Sequence, residues 1–254
     1  MGSVSHRTRP VKAVPEESDR GDARRERWRE HREARRAEFV EATVRAIGKH
    51  GADVGMDDIA AEAGVSKPVL YRHFQDKSDL YLAVGQWGTE LLMNRLAPEL
   101  ASEGSPNDRI RRLLNAYFGV IEQYPDVYRF VVRRTFADKP VTADPVSAEK
   151  TQIANSVSRL LGRYLRSLGL DSGGVELWSH GIVGLVQASG DWWLERQSMN
   201  RDDVTDYLAR IIWHAIDGVL RTGGIVIDPD EPLELDDRLR LVTDDDGPAE
   251  QAGS

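Results

Sequence analysis

The residues whose types and spacing could do chemistry crowd into one stretch, Asp57–Lys77, with the sequence DDIAAEAGVSKPVLYRHFQDK. The chemistry is recognition of a polyanion. Ser66, Lys67, Pro68, Val69, Tyr71, Arg72, His73 and Lys77 bring cations, hydroxyls and a methyl-bearing side chain within a few turns of chain. Lysine and arginine donate to guanine edges, and Val69 can meet a thymine methyl. Tyr71 and Lys77 are placed to hold phosphates, which sets register without reading sequence. Lys67, Val69, Arg72 and His73 are expected to form the exposed reading face.

Such a set needs a rigid support. Ile59, Ala60, Ala63, Val65 and Leu70 form its apolar complement. A short helix is expected over about Met56 to Ala63, with Gly55 as its cap and Gly64 as its stop. Ser66 caps the next helix, Pro68 is tolerated in the first turn, and this helix runs to about Phe74. Two short helices joined by a glycine turn make a helix-turn-helix. The first braces the second through Ala60 and Ala63, and the second offers its N-terminal half to the major groove. Asp76 then caps a longer helix, with Asp79 at its third position, and the first-turn amides offer an anion site. That helix is expected to stop near Leu96, before Pro98. Ahead of the pair, Val40, Val44 and Ile47, like Phe39, Thr43 and Ala46, recur at helical spacing, and Gly51 supplies a left-handed stop.

Residues 37–82 resemble the DNA-binding domain of the TetR family of transcriptional regulators. AGVSKPVLYRHFQDKSDLY matches that helix-turn-helix in spacing through Gly64, Val65, Ser66, Leu70, Tyr71, Phe74, Lys77 and Leu80. The resemblance implies an all-α chain with an N-terminal three-helix DNA-binding domain. It also implies a C-terminal helical domain that binds a small molecule and forms a homodimer, which presents two recognition helices to a near-palindromic double-stranded operator. Many members of the family carry Ser or Thr where this chain has Gly55, so a side-chain phosphate contact is missing there.

Composition agrees with a protein outside membranes and oxidising compartments. Its 254 residues contain no cysteine, which excludes disulfides and thiolate metal sites. No apolar run approaches the roughly 20 residues of a membrane span, and the polar, arginine-rich start is unlike a signal peptide, so a cytoplasmic location is expected. The net charge of −8 is unevenly placed: residues 228–254 hold 2 basic against 10 acidic side chains, whereas residues 1–36 hold 11 against 7. No triad spacing, phosphate loop or HExxH pair appears, so neither an enzyme nor a cofactor or metal site is expected.

The expected divisions are a disordered segment 1–22, a DNA-binding domain 23–82 with a basic arm, a helical domain 83–226 and a disordered acidic tail 227–254. Five further helices are read at about 107–123, 126–136, 146–168, 173–197 and 201–222. Arg-rich residues 23–36 have two readings: a DNA element, or a solvated helix in which Glu26, Glu30 and Glu33 pair with arginines. The last helix carries an apolar face wider than one core contact needs, and Gly181, Gly184, Ala188 and Ser189 before it permit close approach, which suits a dimer. Leu91, Tyr117, Phe118, Ile121, Tyr128, Val132, Ile153, Val157, Trp178 and Ile182 are the candidate lining of a small-molecule site, with His180 and Gln187 as polar groups. A small hydrophobic ligand, such as a long-chain acyl compound, fits this lining, and Arg129, Arg133 and Arg134 could meet an anionic head group. The function so read is a ligand-released repressor; a DNA-binding activator and a protein-binding helical adaptor are the alternatives.

Overall fold

The computed structural model describes residues 17–134 and 145–232. Within them lie nine helices and no strand: α1 Glu17–His50, α2 Met56–Glu62, α3 Lys67–His73, α4 Lys77–Ala101, α5 Pro106–Gln123, α6 Pro125–Arg134, α7 Pro145–Ser167, α8 Val175–Arg196 and α9 Arg201–Thr222.

The head is built on the face of α1 that carries Phe39, Val40, Ala46 and Ile47, all buried, with Thr43 returning its hydroxyl to the Phe39 carbonyl at 2.7 Å. Ile59 and Ala60 of α2, Leu70 of α3 and Leu80 and Val84 of α4 close over that face together with Phe74. Gly51 and Gly64 reverse the chain between these helices at φ +82° and +64°, the left-handed region that side chains with a Cβ rarely enter. The cluster does not stop at the expected boundary near residue 82. Val127 and Phe130 of α6 belong to it, and Phe130 meets Tyr81 edge-on at 4.6 Å. Head and body therefore share core through α4 and α6.

In the body, α5 packs on α8 and α9 through Leu114, Phe118 and Ile121 against Trp193, Leu194, Val204, Leu208 and Ile212. A smaller cluster gathers Leu165, Val175, Trp213 and Leu220.

Three boundaries differ from expectation. Helix α1 already covers residues 17–22, where disorder is expected, and the 23–36 segment continues it. Charges three apart sustain that helix, as in the Glu26–Arg29 and Arg35–Glu38 pairs. Helix α4 passes through Pro98 to Ala101; Pro98 falls in the last turn, where one lost amide bond matters least, and its neighbour Leu96 is buried. At the far end, residues 227–232 are held rather than free. Ile225 and Ile227 pack on the Trp213 cluster, the Asn107 amide donates to the Pro229 carbonyl at 2.9 Å, and its side chain donates to Asp230 at 2.8 Å. Residues 1–16 and 233–254, and the close of the helix expected over 126–136, lie outside the described residues.

Candidate DNA-binding face and ligand cavity

Leu70, fully buried, pins α3 to the head, so the opposite side of this two-turn helix faces outward. Ser66 caps it by backbone geometry alone, leaving the hydroxyl without a cap bond. Ser66, Pro68, Tyr71 and Arg72 are exposed; Lys67 is half-buried and its ammonium pairs with Asp57 at 3.1 Å. The Gly55 amide, lacking a side-chain partner at its own position, donates to Asp58 at 3.2 Å.

Two expected reading residues turn inward instead. Val69 packs against the head core because its position on α3 adjoins Leu70. The His73 ring stands edge-on to Phe39 with centroids 5.1 Å apart, and burial, followed by the charges of Arg32, Arg35, Arg36 and Arg72, holds its pKa below the ordinary 6.5. Lys77 is half-buried, its ammonium 5.2 Å from the Tyr81 ring centre. The expected anion site at the start of α4 is partly filled from within: the Asp79 amide donates to Asp76 at 2.8 Å, and the Asp79 carboxylate accepts from the Gln75 amide at 2.9 Å.

Sequence reasoning missed the group that organises this corner. Arg36 stacks on Phe74, its guanidinium carbon 4.2 Å from the ring centre. It donates to the His73 carbonyl and to both oxygens of Asp79, at 3.0 and 3.3 Å. One side chain thus ties α1 to the end of α3 and the start of α4, and charge-assisted bonds of this kind are the strong ones. The available signal was the spacing: Arg36 lies three residues before Phe39, on the face that enters the core.

Below the head, α4 to α9 surround a cavity of about 280 Å³, near the lower end of small-molecule sites. Its walls are almost wholly apolar. Leu91, Tyr117, Ile121, Tyr128, Val132, Ile153, Val157 and Ile182 line it, and Gln187 does as well. Phe118 and Trp178 do not. Phe118 lies one residue, about 100° of helix, from Tyr117, and so points to Trp193 in the core. Trp178 lies on the half-exposed start of α8, its ring folded over Gly174, where a Cβ would stand 2.4 Å from a ring carbon. His180 is on the outside. Trp87 and Tyr124, edge-on at 5.4 Å, and Tyr164, Leu161 and Trp213 complete the walls; they are aromatic or aliphatic like any core residue, and only packing separates lining from core.

The few polar groups at the cavity are engaged with one another. The Tyr128 hydroxyl donates to Asp191 at 2.6 Å and stands 3.4 Å from the Tyr117 hydroxyl. Burial first, then Tyr117 and Asp191, pushes the Tyr128 phenol well above its usual range, so it stays neutral. Arg109 donates to the Leu100 carbonyl at 3.0 Å and to the Tyr164 hydroxyl. Arg129 is occupied by Asp126 and the Leu194 carbonyl, at 3.0 and 3.1 Å, which removes it from the expected anion-binding set. The side chains of Arg133 and Arg134 lie outside the described residues.

This architecture, an arginine-clamped helix-turn-helix over a helical body, coincides with two family profiles. Residues 39–84 match the bacterial regulatory proteins of the tetR family, and residues 95–223 match the tetracyclin repressor-like C-terminal domain. The chain belongs to the TetR family. A TetR-family member is a transcriptional regulator that binds DNA through this head and carries a ligand-binding C-terminal domain. Among curated relatives, an uncharacterised helix-turn-helix-type transcriptional regulator of Mycobacterium tuberculosis is 36% identical over 213 residues, 83% of this chain and 89% of that one. The transcriptional activator FasR of Mycolicibacterium smegmatis is 29% identical over 192 residues, covering 74% and 85%. Among solved structures, the regulator FadR of Bacillus subtilis in complex with stearoyl-CoA aligns over 69% of this chain and 96% of its own, at a TM-score of 0.60 and 14% identity. At that identity the likeness is one of fold.

Proposed function

We propose that this TetR-family regulator is a homodimeric repressor released from its operator by a long, apolar small molecule. The observation that carries the reading is the double role of α4. Its first turn is clamped to the recognition helix by Arg36 and Asp79, while Leu91, Leu92 and Leu96 further along face the cavity. A ligand that prefers one tilt of α4 shifts the population of head orientations, and it acts only to the extent that it discriminates between them. The uncharged walls suit an acyl chain, which is the ligand named for the FadR complex.

Dimerisation is supported by what the body leaves uncovered. On α8, Leu177, Gly181, Gly184, Leu185, Ala188 and Trp192 form one exposed stripe, and on α9 Tyr207, Ile211, Ala215 and Gly218 form another. Two such pairs of helices make a four-helix interface. On DNA, Tyr71 and Lys77 hold phosphates, Arg72 reads a base, Ser66 and Pro68 sit at the groove edge, and Lys67 reads a base once released from Asp57.

The test is fluorescence anisotropy of the full chain on duplex DNA from upstream of its own gene, titrated with stearoyl-CoA. Binding that the thioester reverses supports the reading; binding that it leaves unchanged discards the acyl ligand. An activator of the same design is the second reading, favoured by the printed role of FasR. A footprint upstream of the promoter, with transcription lost on deleting the gene, would select it.

A further inference from the structure

Helix α1 runs well beyond the head it serves, and its outer part is patterned. Placed at 100° per residue about Arg32, the buried side chains Phe39, Thr43, Ala46 and Ile47 fall within about 60° of one direction. Arg25, Trp28, Arg29, Arg32, Arg35 and Arg36 fall within the same arc. Glu26, Glu30, Glu33 and Glu41 lie about 100–180° away. The face that meets the core up to Phe39 therefore continues past it as a stripe of arginines with one tryptophan, 68% exposed.

The inner end of that stripe sits at the recognition helix. Arg36 bonds to the His73 carbonyl, and Arg32 and Arg35 lie near enough to His73 for their charge to act on its ring alongside Arg72. The stripe is thus continuous with the DNA-binding face, on the side where α3 ends. Its contacts within α1, such as Arg29 with Glu26 and Arg35 with Glu38, are exposed pairs three residues apart, which contribute little and yield to a phosphate. Arg36 is committed to Asp79 and is not part of the outward set.

We propose that the outer part of α1 is a second DNA-contacting element, which lays Arg25, Arg29 and Arg32 along the phosphates flanking the major-groove site. The occupant is duplex DNA, chosen by charge and by continuity with the helix-turn-helix. From Arg25 to Arg36 the helix spans about 16 Å, or roughly five base pairs of flank. Contacts of this kind carry no sequence information; they lengthen the footprint and add salt-dependent affinity. The inference rests on the DNA-binding reading of α3.

The test compares the full chain with R25Q/R29Q/R32Q and R25K/R29K/R32K on a random-sequence 30-base-pair duplex, across about 50–200 mM salt. Glutamine keeps helix propensity and removes charge; lysine keeps charge. With three phosphates released per subunit, the glutamine variant should lose about 2.7 from the slope of log affinity against log salt. Its affinity should therefore fall about 40-fold less than wild type over that salt range. The lysine variant should keep the wild-type slope, and circular dichroism should find the helix content of all three alike. An unchanged slope in the glutamine variant overturns the proposal while leaving the helix-turn-helix in place. Tighter binding by that variant also overturns it, since the stripe would then be serving an acidic segment of the chain itself. Failure of the wild-type chain to bind duplex at all overturns the DNA-binding reading, and this one with it.

Discussion

The head and the body are both all-α, yet they treat apolar surface in opposite ways. In the head, Phe39, Ile47, Ile59, Leu70, Phe74 and Leu80 are all but inaccessible, and a polar clamp locks the outside. In the body, apolar side chains surround an empty space within, and others such as Ile211 and Leu177, 55% and 75% exposed, are left uncovered without. A recognition helix of seven residues cannot hold its own shape, so the head must be filled. A body that answers to a small molecule and to a second subunit must keep surface unspent.

The contrast can be tested at its strongest point first. L185E/I211E places charges on the uncovered stripes; the chain should elute as a monomer in light scattering, and its operator affinity should fall at least about 100-fold through loss of bivalent binding. A variant that remains dimeric would move the interface elsewhere. Next, Leu70→Ala should cost about 2–5 kcal/mol in denaturant unfolding, because a filled core cannot collapse around the gap. Leu91→Ala, on the cavity wall, should cost about 1 kcal/mol, since that side chain already lacks partners on one side. Equal losses at the two leucines would erase the distinction between filled head and open body.

Arg36→Met should weaken DNA binding by loosening α3, at about 1–3 kcal/mol of head stability, without altering the salt slope, because Arg36 meets no phosphate. A lowered slope would place it on the DNA instead. The smallest effect belongs to His73. Its proton is held less tightly in the folded chain than at the ordinary 6.5, so the unfolded chain binds more protons below that value. Stability from this group is full above 6.5 and falls away as pH drops through the lowered pKa. His73→Gln should flatten the loss of melting temperature between about pH 7.5 and about pH 5. An unchanged profile would assign the acid sensitivity to other groups.

Much of this was legible in the residues. Caps and stops are local chemistry: Asp76 capping α4 and the left-handed glycines at 51 and 64 stand where spacing puts them. The direction of a side chain within a bundle is not local. Phe118 and Tyr117 are neighbours of the same type, and only the position of α8 makes one core and the other wall. His73 reads as a base-contacting residue until Phe39, far back in the chain, is folded against it. The Arg36 clamp was hidden for a similar reason, since its partners lie 37 and 43 positions away. The profile of the head alone, without a structure, could not have separated Arg36 from the arginines that precede it.

Helix α4 has a mechanical consequence. Its 25 residues make a rod about 37 Å long, gripped at one end by the clamp and bordering the cavity along much of its length. A pivot of about 5° at the distant end carries the gripped end through about 3 Å, close to the spacing of ~3.4 Å between successive base pairs. A ligand need only lean on this lever by a fraction of an ångström per turn to put two recognition helices out of step with one turn of the double helix.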